Sequence, residues 1–321
     1  MRFTLAAAGL AFIYSIQVHA STLSPDETLP FTDPVFVTMK KSGTVERLPD
    51  RHAWPGGPNM LYNAVSPDGK LVLATSPSTD SVYLFDGATG QRLAIISVGK
   101  APKGVQCSPN GRYAYVANQG SASISVIDLK AQKVVDTIEV EEAPHNVRFT
   151  SNGQRAYVTL QGGAGIGIID TATHQQIGII PTPGLSGPHN IDLSPDEKTA
   201  YVRDFVHHVA VVDLDSHEIE KIIKVGSGHG GIDASADGRF IATSAIASDT
   251  ISIIDPHTFA VKQIKVGKGP HGIRASNDSR WLYVAVAGED RVVVVDMQSM
   301  EVVERIPVGS FPFWVEVQRS R

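Results

Sequence analysis

The chain has 321 residues, of which 42% are hydrophobic and 19% charged, a composition typical of a globular protein rather than a disordered or collagen-like one. Its 28 Lys and Arg and 33 Asp and Glu residues give a formal net charge of −5, so the overall basic character of many nucleic-acid-binding proteins is absent. A single cysteine, Cys107, excludes an intrachain disulfide and a cysteine-rich zinc or iron–sulfur centre.

Residues 1–20 have the pattern of a secretory signal peptide. Arg2 supplies a positive charge, a mostly apolar stretch follows, and Val18 and Ala20 are small residues at positions −3 and −1 of a cut after Ala20. The apolar stretch is too short for a comfortable membrane span, and the alternative is a buried N-terminal helix. The polar, Pro-rich residues 21–34 are interpreted as a linker. We therefore expect a soluble, periplasmic or secreted mature protein without a membrane span.

The rest of the chain repeats a unit of about 42 residues. A short apolar segment that ends in aspartate recurs at spacings of 42, 42, 43, 42 and 41 residues; its aspartates are Asp86, Asp128, Asp170, Asp213, Asp255 and Asp296. Other Val-, Ile- and Tyr-rich segments, bounded by turns such as SPDG, precede and follow it in each unit. This pattern predicts four short β-strands per unit, which is one blade of a β-propeller.

Seven blades are predicted, with their strands named A to D from the central axis outward. The A strands are expected at 60–65, 102–107, 144–149, 188–193, 230–234, 271–275 and 313–318. The last A strand has no B strand after it, whereas residues 35–39 and 43–47 form B and C strands with no A strand before them. The two chain ends therefore share a blade, which closes the ring. The prediction is an all-β, single seven-bladed propeller over residues 35–321, in which residues 51–59 fit a D strand poorly.

The repeats resemble the YVTN family of β-propeller repeat proteins. The matching strings are YVAN (115–118), YVTL (157–160), SVIDLK (125–130), IIDTAT (168–173) and SPDG (66–69). The resemblance spans about residues 35–318, and similar propellers include the haem-d1-type domains of bacterial nitrite reductases, propellers associated with quinone-dependent alcohol catabolism, bacterial surface proteins and a few exported DNA-binding proteins. It implies the fold, whereas one fold hosts many functions.

Several conspicuous motifs are explained by the blade itself. The repeated aspartates are expected to cap the turns between strands C and D. The string GSGHGG (226–231) joins two strands and is therefore not a dinucleotide-binding motif. Cys107 lies in an A strand and is interpreted as a small buried hydrophobe. Polar or charged residues share one A-strand position and predict a ring of ion pairs, with a ligand-selecting channel as the alternative; they are Gln106, Arg148, Asp192, Asp233, Arg274 and Glu316.

The histidines are the best candidates for chemistry. Four of them lie in loops between the D strand of one blade and the A strand of the next. These are His145, His189 and His271, in the strings PHNV, PHNI and PHGI, and His229, in the string GHGGI. These loops lie on one face of the propeller, so four consecutive blades would bring an imidazole towards the axis. Lys103 and Phe313 hold the same position in other blades, and the alternative is that these histidines only pack against neighbouring blades.

Further polar residues are predicted on the same face. His207 and His208 lie in a loop between strands B and C, beside Asp204, which is placed to orient an imidazole. Imidazole is the commonest protein ligand for metals and for haem iron. The candidate metal ligands are thus His145, His189, His229, His271, His207, His208 and Asp204. In contrast, His174, His217 and His257 lie in turns between strands C and D and are expected to be solvated.

Two functions follow from these patterns. The first is a non-catalytic periplasmic scaffold that holds a small ligand or a partner protein on the histidine-bearing face; without an identifiable nucleophile or acid–base pair, we do not expect an enzyme. The second is a redox or accessory protein that binds copper, zinc or haem through the histidines. The second loses its basis if no three of them approach one point. A monomer without a nucleic-acid partner is expected in either case.

Overall fold

The structure is a computed structural model that describes residue 31 and residues 33–163 and 165–318. The predicted signal peptide, with its cut after Ala20, and residues 21–30 of the predicted linker lie outside the described residues. Phe31, within that linker, stacks on Tyr283 at 5.3 Å between ring centroids. Asp33 accepts a hydrogen bond from the Asn277 amide at 2.8 Å. The chain therefore contacts the propeller before its first strand begins.

The described residues form 28 strands and one short 3-10 turn. The chain opens with β1 (Val35–Met39), β2 (Thr44–Leu48) and β3 (His52–Pro55). The next three blades are β4 (Asn63–Val65), β5 (Leu71–Ser76), β6 (Ser81–Asp86) and β7 (Arg92–Ser97); β8 (Pro102–Cys107), β9 (Tyr113–Asn118), β10 (Ser123–Asp128) and β11 (Lys133–Glu139); and β12 (Pro144–Phe149), β13 (Arg155–Leu160), β14 (Gly165–Asp170) and β15 (Gln175–Ile180).

Three more blades and a final strand complete the order. They are β16 (Pro188–Leu193), β17 (Thr199–Asp204), β18 (His208–Asp213) and β19 (Ile219–Lys224); β20 (Ile232–Ala234), β21 (Ile241–Ala245), β22 (Thr250–Ile254) and β23 (Val261–Lys265); β24 (Pro270–Ala275), β25 (Trp281–Val286), the 3-10 turn Ala287–Glu289, β26 (Arg291–Asp296) and β27 (Glu301–Pro307); and β28 (Pro312–Val317).

These strands form seven four-stranded antiparallel sheets, so the predicted seven-bladed propeller is confirmed. The shared blade has the strand order β28–β1–β2–β3, in which the two ends of the chain pair directly. Val35 lies opposite Val317 and Val37 opposite Val315, and all four side chains are buried. Because of this pairing, β1 is an internal strand of its sheet rather than an open edge.

The D strand of the shared blade was predicted poorly. β3 fills this position and pairs with β2, with Trp54 opposite Val45. The Trp54 side chain is only 2% exposed and packs between Phe36 and Phe85, at 5.5 and 5.8 Å between ring centroids. One large buried aromatic thus holds a strand of only four residues in place. Pro55 and the glycines after it are typical of a loop, and for this reason the sequence did not indicate a strand here.

Blades stack face to face, and this explains the apolar content of the inner strands. The B and C strands are buried on both faces, whereas the D strands at the rim are mostly exposed; in β11 only Ile138 is fully buried. The predicted caps of the C–D turns are confirmed: Asp170 accepts from the N–H groups of Ala172 at 2.9 Å and Thr173 at 3.0 Å. The six repeated aspartates are therefore explained by the fold.

A ring of buried ion pairs crosses the axis, as the A-strand pattern predicted. The ion pairs are Arg148–Asp192 at 2.8 Å, Arg148–Asp233 at 3.7 Å, Arg274–Asp233 at 3.4 Å and Arg274–Glu316 at 3.1 Å. Arg148 also donates to the side-chain oxygen of Gln106 at 2.7 Å. Arg148 lies in β12 and Asp233 in β20, so their contact bridges the blade that stands between them. No helix among the described residues is long and apolar enough to cross a membrane.

Candidate functional site

A pocket of about 350 Å³ lies on the face formed by the D–A and B–C loops. We call it the histidine pocket. Its imidazoles are those of His145, His189, His229 and His271. The other lining residues are Lys40, Leu61, Tyr62, Lys103, Gln119, Gln161, Phe205 and Phe313. All four histidines that the sequence placed near the axis therefore share one cavity, whose volume is at the lower end of the range for small-molecule sites.

The start of each A strand directs its histidine into this pocket. Pro144 and Pro270 begin β12 and β24, where proline removes no ladder hydrogen bond. In both strands the pairing register shifts directly after the proline. Such a bulge re-aims the side chain that it contains, here His145 and His271. Lys103, at the same position of β8, reaches the same pocket.

His229 enters the pocket from a glycine-rich loop rather than from a strand. A Cβ atom on Gly230 would lie 2.4 Å from the backbone oxygen of Ser244, and one on Gly231 would lie 3.1 Å from that of His271. The glycines of GSGHGG therefore allow the loop to pack against neighbouring strands, which carries His229 to the mouth of the pocket. The His229 ring stacks on Phe205, 4.5 Å between centroids and 6° from parallel.

Three of the imidazoles converge. One ring nitrogen from each of His189, His229 and His271 lies within 4.8 Å of the others. His189 and His271 are 3% and 0% exposed, and their Nε2 atoms have no hydrogen-bond partner among the described residues. A buried polar atom without a partner is costly in a folded protein, and the described residues leave the Nε2 atoms of His189 and His271 without one.

Hydrogen bonds fix the tautomers around this cluster. Nδ1 of His271 lies 3.0 Å from the carbonyl oxygen of Phe313, and Nδ1 of His145 lies 2.9 Å from that of His189. A carbonyl oxygen only accepts, so both Nδ1 atoms carry the proton and both Nε2 atoms carry a lone pair. Gln119 donates an amide N–H to Oε1 of Gln161 at 2.6 Å, so Nε2 of Gln161 faces Nδ1 of His189 at 3.2 Å and donates to it. In this arrangement Nδ1 of His189 accepts and its Nε2 carries the proton.

His145 lies beside the three-histidine cluster. Its ring packs on that of His189 at 3.8 Å between centroids. Its Nε2 atom lies 3.4 Å from the hydroxyl of Tyr62, which donates to it because Nδ1 is already protonated. Tyr62 is buried against Trp314, 4.6 Å between ring centroids. The lone pair of His145 is thereby engaged within the protein.

The imidazoles of the pocket are neutral at physiological pH. Burial, followed by the charge of Lys103, lowers the pKa of His145 to about 3. Burial, followed by the charge of Arg203, lowers the pKa of His229 to about 4. Burial also holds the pKa values of His189 and His271 well below their ordinary range. The neutral form is the one that ligates metals.

The other predicted ligands form a separate group. The buried carboxylate of Asp204 accepts from the N–H groups of His207 and His208, each at 2.7 Å, and pairs with Arg203 at 2.9 Å. Nδ1 of His208 lies 3.3 Å from Asp204. Asp204 thus organises the loop that carries Phe205, and the structure places it with His208 rather than with the three converging imidazoles.

Some residues of the site were missed in the sequence. Tyr62, Phe205, Gln161 and Lys40 lie in differently shaped loops, and only the assembled ring brings them to the pocket. His174 lies in a turn between strands C and D, as predicted, but it is not freely solvated. Its side chain is 15% exposed and pairs with Asp136 at 2.9 Å. In contrast, Cys107 is buried as predicted, and burial raises the pKa of its thiol.

Comparisons with known proteins agree with the fold. The model of the YNCE-like β-propeller family matches residues 206–321. No curated protein matches the chain. Among solved structures, Kuenenia stuttgartiensis hydrazine synthase is 21% identical with a TM-score of 0.74, covering 81% of this chain and 92% of its own. Dihydro-haem d1 dehydrogenase NirN is 18% identical with a TM-score of 0.67, covering 89% of this chain and 75% of its own.

A third solved structure, a functionally unknown protein from Desulfotomaculum acetoxidans, is 13% identical with a TM-score of 0.75 and covers 90% of this chain and all of its own. Identities this low carry the architecture alone. Fold and comparisons together assign the chain to the β-propeller proteins, and its function has to be argued from the site.

Proposed function

We propose that the protein binds one transition metal ion, zinc or copper, through His189, His229 and His271. The observation that carries the proposal is the approach of three neutral imidazoles within 4.8 Å, two of them with buried, unpartnered Nε2 atoms. Zinc–nitrogen bonds of 2.0–2.1 Å place tetrahedral ligand nitrogens about 3.3 Å apart. The three nitrogens therefore have to approach one another by at most about 1.5 Å to bind the ion, and His229, the least buried of the three, has the most room to move.

The outer contacts suit such a site. Metal-bound histidines ordinarily donate their second ring N–H to a carbonyl or carboxylate oxygen. His271 does so to Phe313. The Gln161 amide can turn its oxygen to Nδ1 of His189, because an amide both donates and accepts and Gln119 can follow it. Three protein ligands also leave a tetrahedral ion one open position.

A metal ion fits the pocket better than haem does. Haem iron takes one or two axial protein ligands, and its ring needs a wide slot on each side of them. Here three imidazoles point to one centre, in a pocket of about 350 Å³. The proposal is the second of the two functions that the sequence suggested for this face, with zinc or copper rather than haem as the bound group.

The test is a metal titration of EDTA-stripped protein, followed by isothermal calorimetry with Zn²⁺ and Cu²⁺ separately. One equivalent is expected to bind. Each of His189→Ala, His229→Ala and His271→Ala should weaken binding at least about 100-fold, beyond the 10–100-fold typical of outer contacts. His257→Ala, in an exposed turn, is the matched control and should bind as the parent does. No uptake, or equal affinity in all four variants, would refute the proposal.

We also propose that the protein is exported, on the strength of the charged, apolar and small-residue pattern of residues 1–20. The test is N-terminal sequencing of protein recovered from the periplasm and the medium. A mature chain that begins at Ser21 is expected. A chain that keeps residues 1–20 and stays in the cytoplasm would contradict export.

A further inference from the structure

The histidine pocket leaves the charge of a bound ion uncompensated. Its three converging ligands are neutral imidazoles, and none of the described residues that line it is acidic. A divalent ion there would keep its full charge in a partly buried site, where electrostatic interactions are strong. The open fourth position therefore favours an anionic ligand over water.

Two lysines supply the rest of a site for an anion. Lys40 and Lys103 both line the pocket, and within the described residues neither ammonium group pairs with a carboxylate. Lys40 lies 5.8 Å from the centroid of the Phe313 ring, which is itself 3.9 Å from that of His271. The two ammonium groups repel a metal ion that binds alone and so weaken its binding. They attract an anion, and therefore favour a metal ion that binds together with one.

Apolar side chains form part of the remaining wall of the pocket, beside Gln119, Gln161 and Tyr62. Phe205, Phe313 and Leu61 line it, and Phe205 is 45% exposed at its mouth. From these contacts we infer that the site takes a small organic carboxylate, whose oxygen binds the open position of the metal between Lys40 and Lys103 while its apolar part lies against Phe205 and Phe313. This inference rests on the proposed metal binding.

The test uses copper(II)-loaded full-length protein, whose copper content is measured first. Benzoate is titrated and followed by the visible absorption of copper and by calorimetry, with benzamide as the neutral analogue. Benzoate is expected to bind and benzamide not to. Lys40→Met with Lys103→Met should weaken benzoate at least tenfold while copper is retained. Lys41→Met is the matched control, since that ammonium lies over Phe311, outside the pocket.

The outcomes separate the two claims. Protein without copper refutes the metal site and this inference together. Copper-loaded protein that binds benzoate equally in the parent and in the Lys40 and Lys103 variants, or that binds benzamide equally well, refutes the inference alone. A second readout follows from linkage: benzoate should raise copper affinity by the same factor as copper raises benzoate affinity. The single lysine variants replace the double one if circular dichroism shows it unfolded.

Discussion

Nδ1 of His271 donates to the carbonyl oxygen of Phe313 at 3.0 Å, and Phe313 holds the same repeat position in the next blade. The same relation joins His145 to the carbonyl oxygen of His189. The repeat of the propeller thus sets the tautomer of both side chains, which leaves the Nε2 lone pair of His271 to a metal ion, whereas that of His145 accepts from the Tyr62 hydroxyl. A scaffold that orients imidazoles in this way needs few additional residues to build a metal site.

The first prediction concerns Gln161, beside Nδ1 of His189. Gln161→Leu removes the acceptor that the metal-bound tautomer of His189 needs, so metal affinity should fall about 10-fold or more. Gln161→Glu supplies a stronger acceptor and should match or exceed the parent. Calorimetric titration with Zn²⁺ measures both. Equal affinity in the two variants would show that Gln161 does not act on the metal through His189.

The second prediction separates three ligands from four. The lone pair of His145 is engaged by Tyr62, so His145→Ala should weaken Zn²⁺ binding about 10-fold, through lost packing against His189. His189→Ala should weaken it at least about ten times more. If the two variants lose affinity equally, His145 is itself a ligand and the three-histidine assignment is wrong.

The third prediction is a loss of stability in acid for metal-free protein. The pKa of His145 is about 3 in the folded chain because of burial, and about 6.5 in an unfolded chain. Between these values only the unfolded chain binds the proton. The contribution of His145 to the free energy of unfolding is therefore complete above pH 6.5. It is lost as the pH falls towards 3, by up to about 1.4 kcal/mol per pH unit.

Urea unfolding at pH 7.5 and pH 5.0 measures this effect. His145→Gln should lose less stability between the two pH values than the parent does. His257→Gln, at an exposed position, should lose as much as the parent. An unchanged pH dependence in His145→Gln would mean that the buried imidazole is not the group that titrates.

The fourth prediction concerns the buried ion pairs of the axis. Asp233 lies 3.4 Å from Arg274 and 3.7 Å from Arg148 and accepts from the N–H of Ala275 at 2.8 Å. Asp233→Asn leaves buried positive charge uncompensated and should cost about 3–5 kcal/mol of unfolding free energy. Asp237→Asn, in an exposed pair, should cost about 1 kcal/mol or less. Chemical denaturation of both variants would contradict the account if the costs were similar.

The fifth prediction concerns ring closure. Deleting residues 312–321 removes β28 and leaves β1 as an open edge that can pair with other chains. The truncated protein should aggregate, as measured by light scattering after size-exclusion chromatography. Deleting only residues 319–321 keeps β28 and should leave the protein as the parent. A monodisperse, folded protein without β28 would show that the shared blade is not needed to close the propeller.

The sequence predicted the architecture because each blade repeats the same local information. Alternating apolar segments, turn residues and the aspartate at each C–D turn recur six times, so their register was readable without the structure. The D strand of the shared blade, β3, was not predicted because it is held mainly by the packing of Trp54 between Phe36 and Phe85, which the sequence does not show. Long-range packing of this kind leaves no periodic signal.

The candidate site was partly predictable for the same reason. His145, His189 and His271 hold equivalent repeat positions, so topology placed them together near the axis. Which of them converge depends on side-chain directions, and these follow from Tyr62 and from the glycine-rich loop of His229. Asp204 braces the loop between β17 and β18 and lies 3.3 Å from Nδ1 of His208, so the imidazole that it orients is not one of the three that converge.

X-ray absorption spectroscopy of protein loaded with one equivalent of Zn²⁺ tests the central claim most directly. The account predicts about three imidazole nitrogens at 2.0–2.1 Å, with the multiple scattering typical of imidazole rings, and one further light atom. The imidazole signal should fall by about a third in His271→Ala reloaded at saturating Zn²⁺. A shell of oxygen atoms without imidazole scattering, or a spectrum unchanged in His271→Ala, would contradict a metal site at His189, His229 and His271.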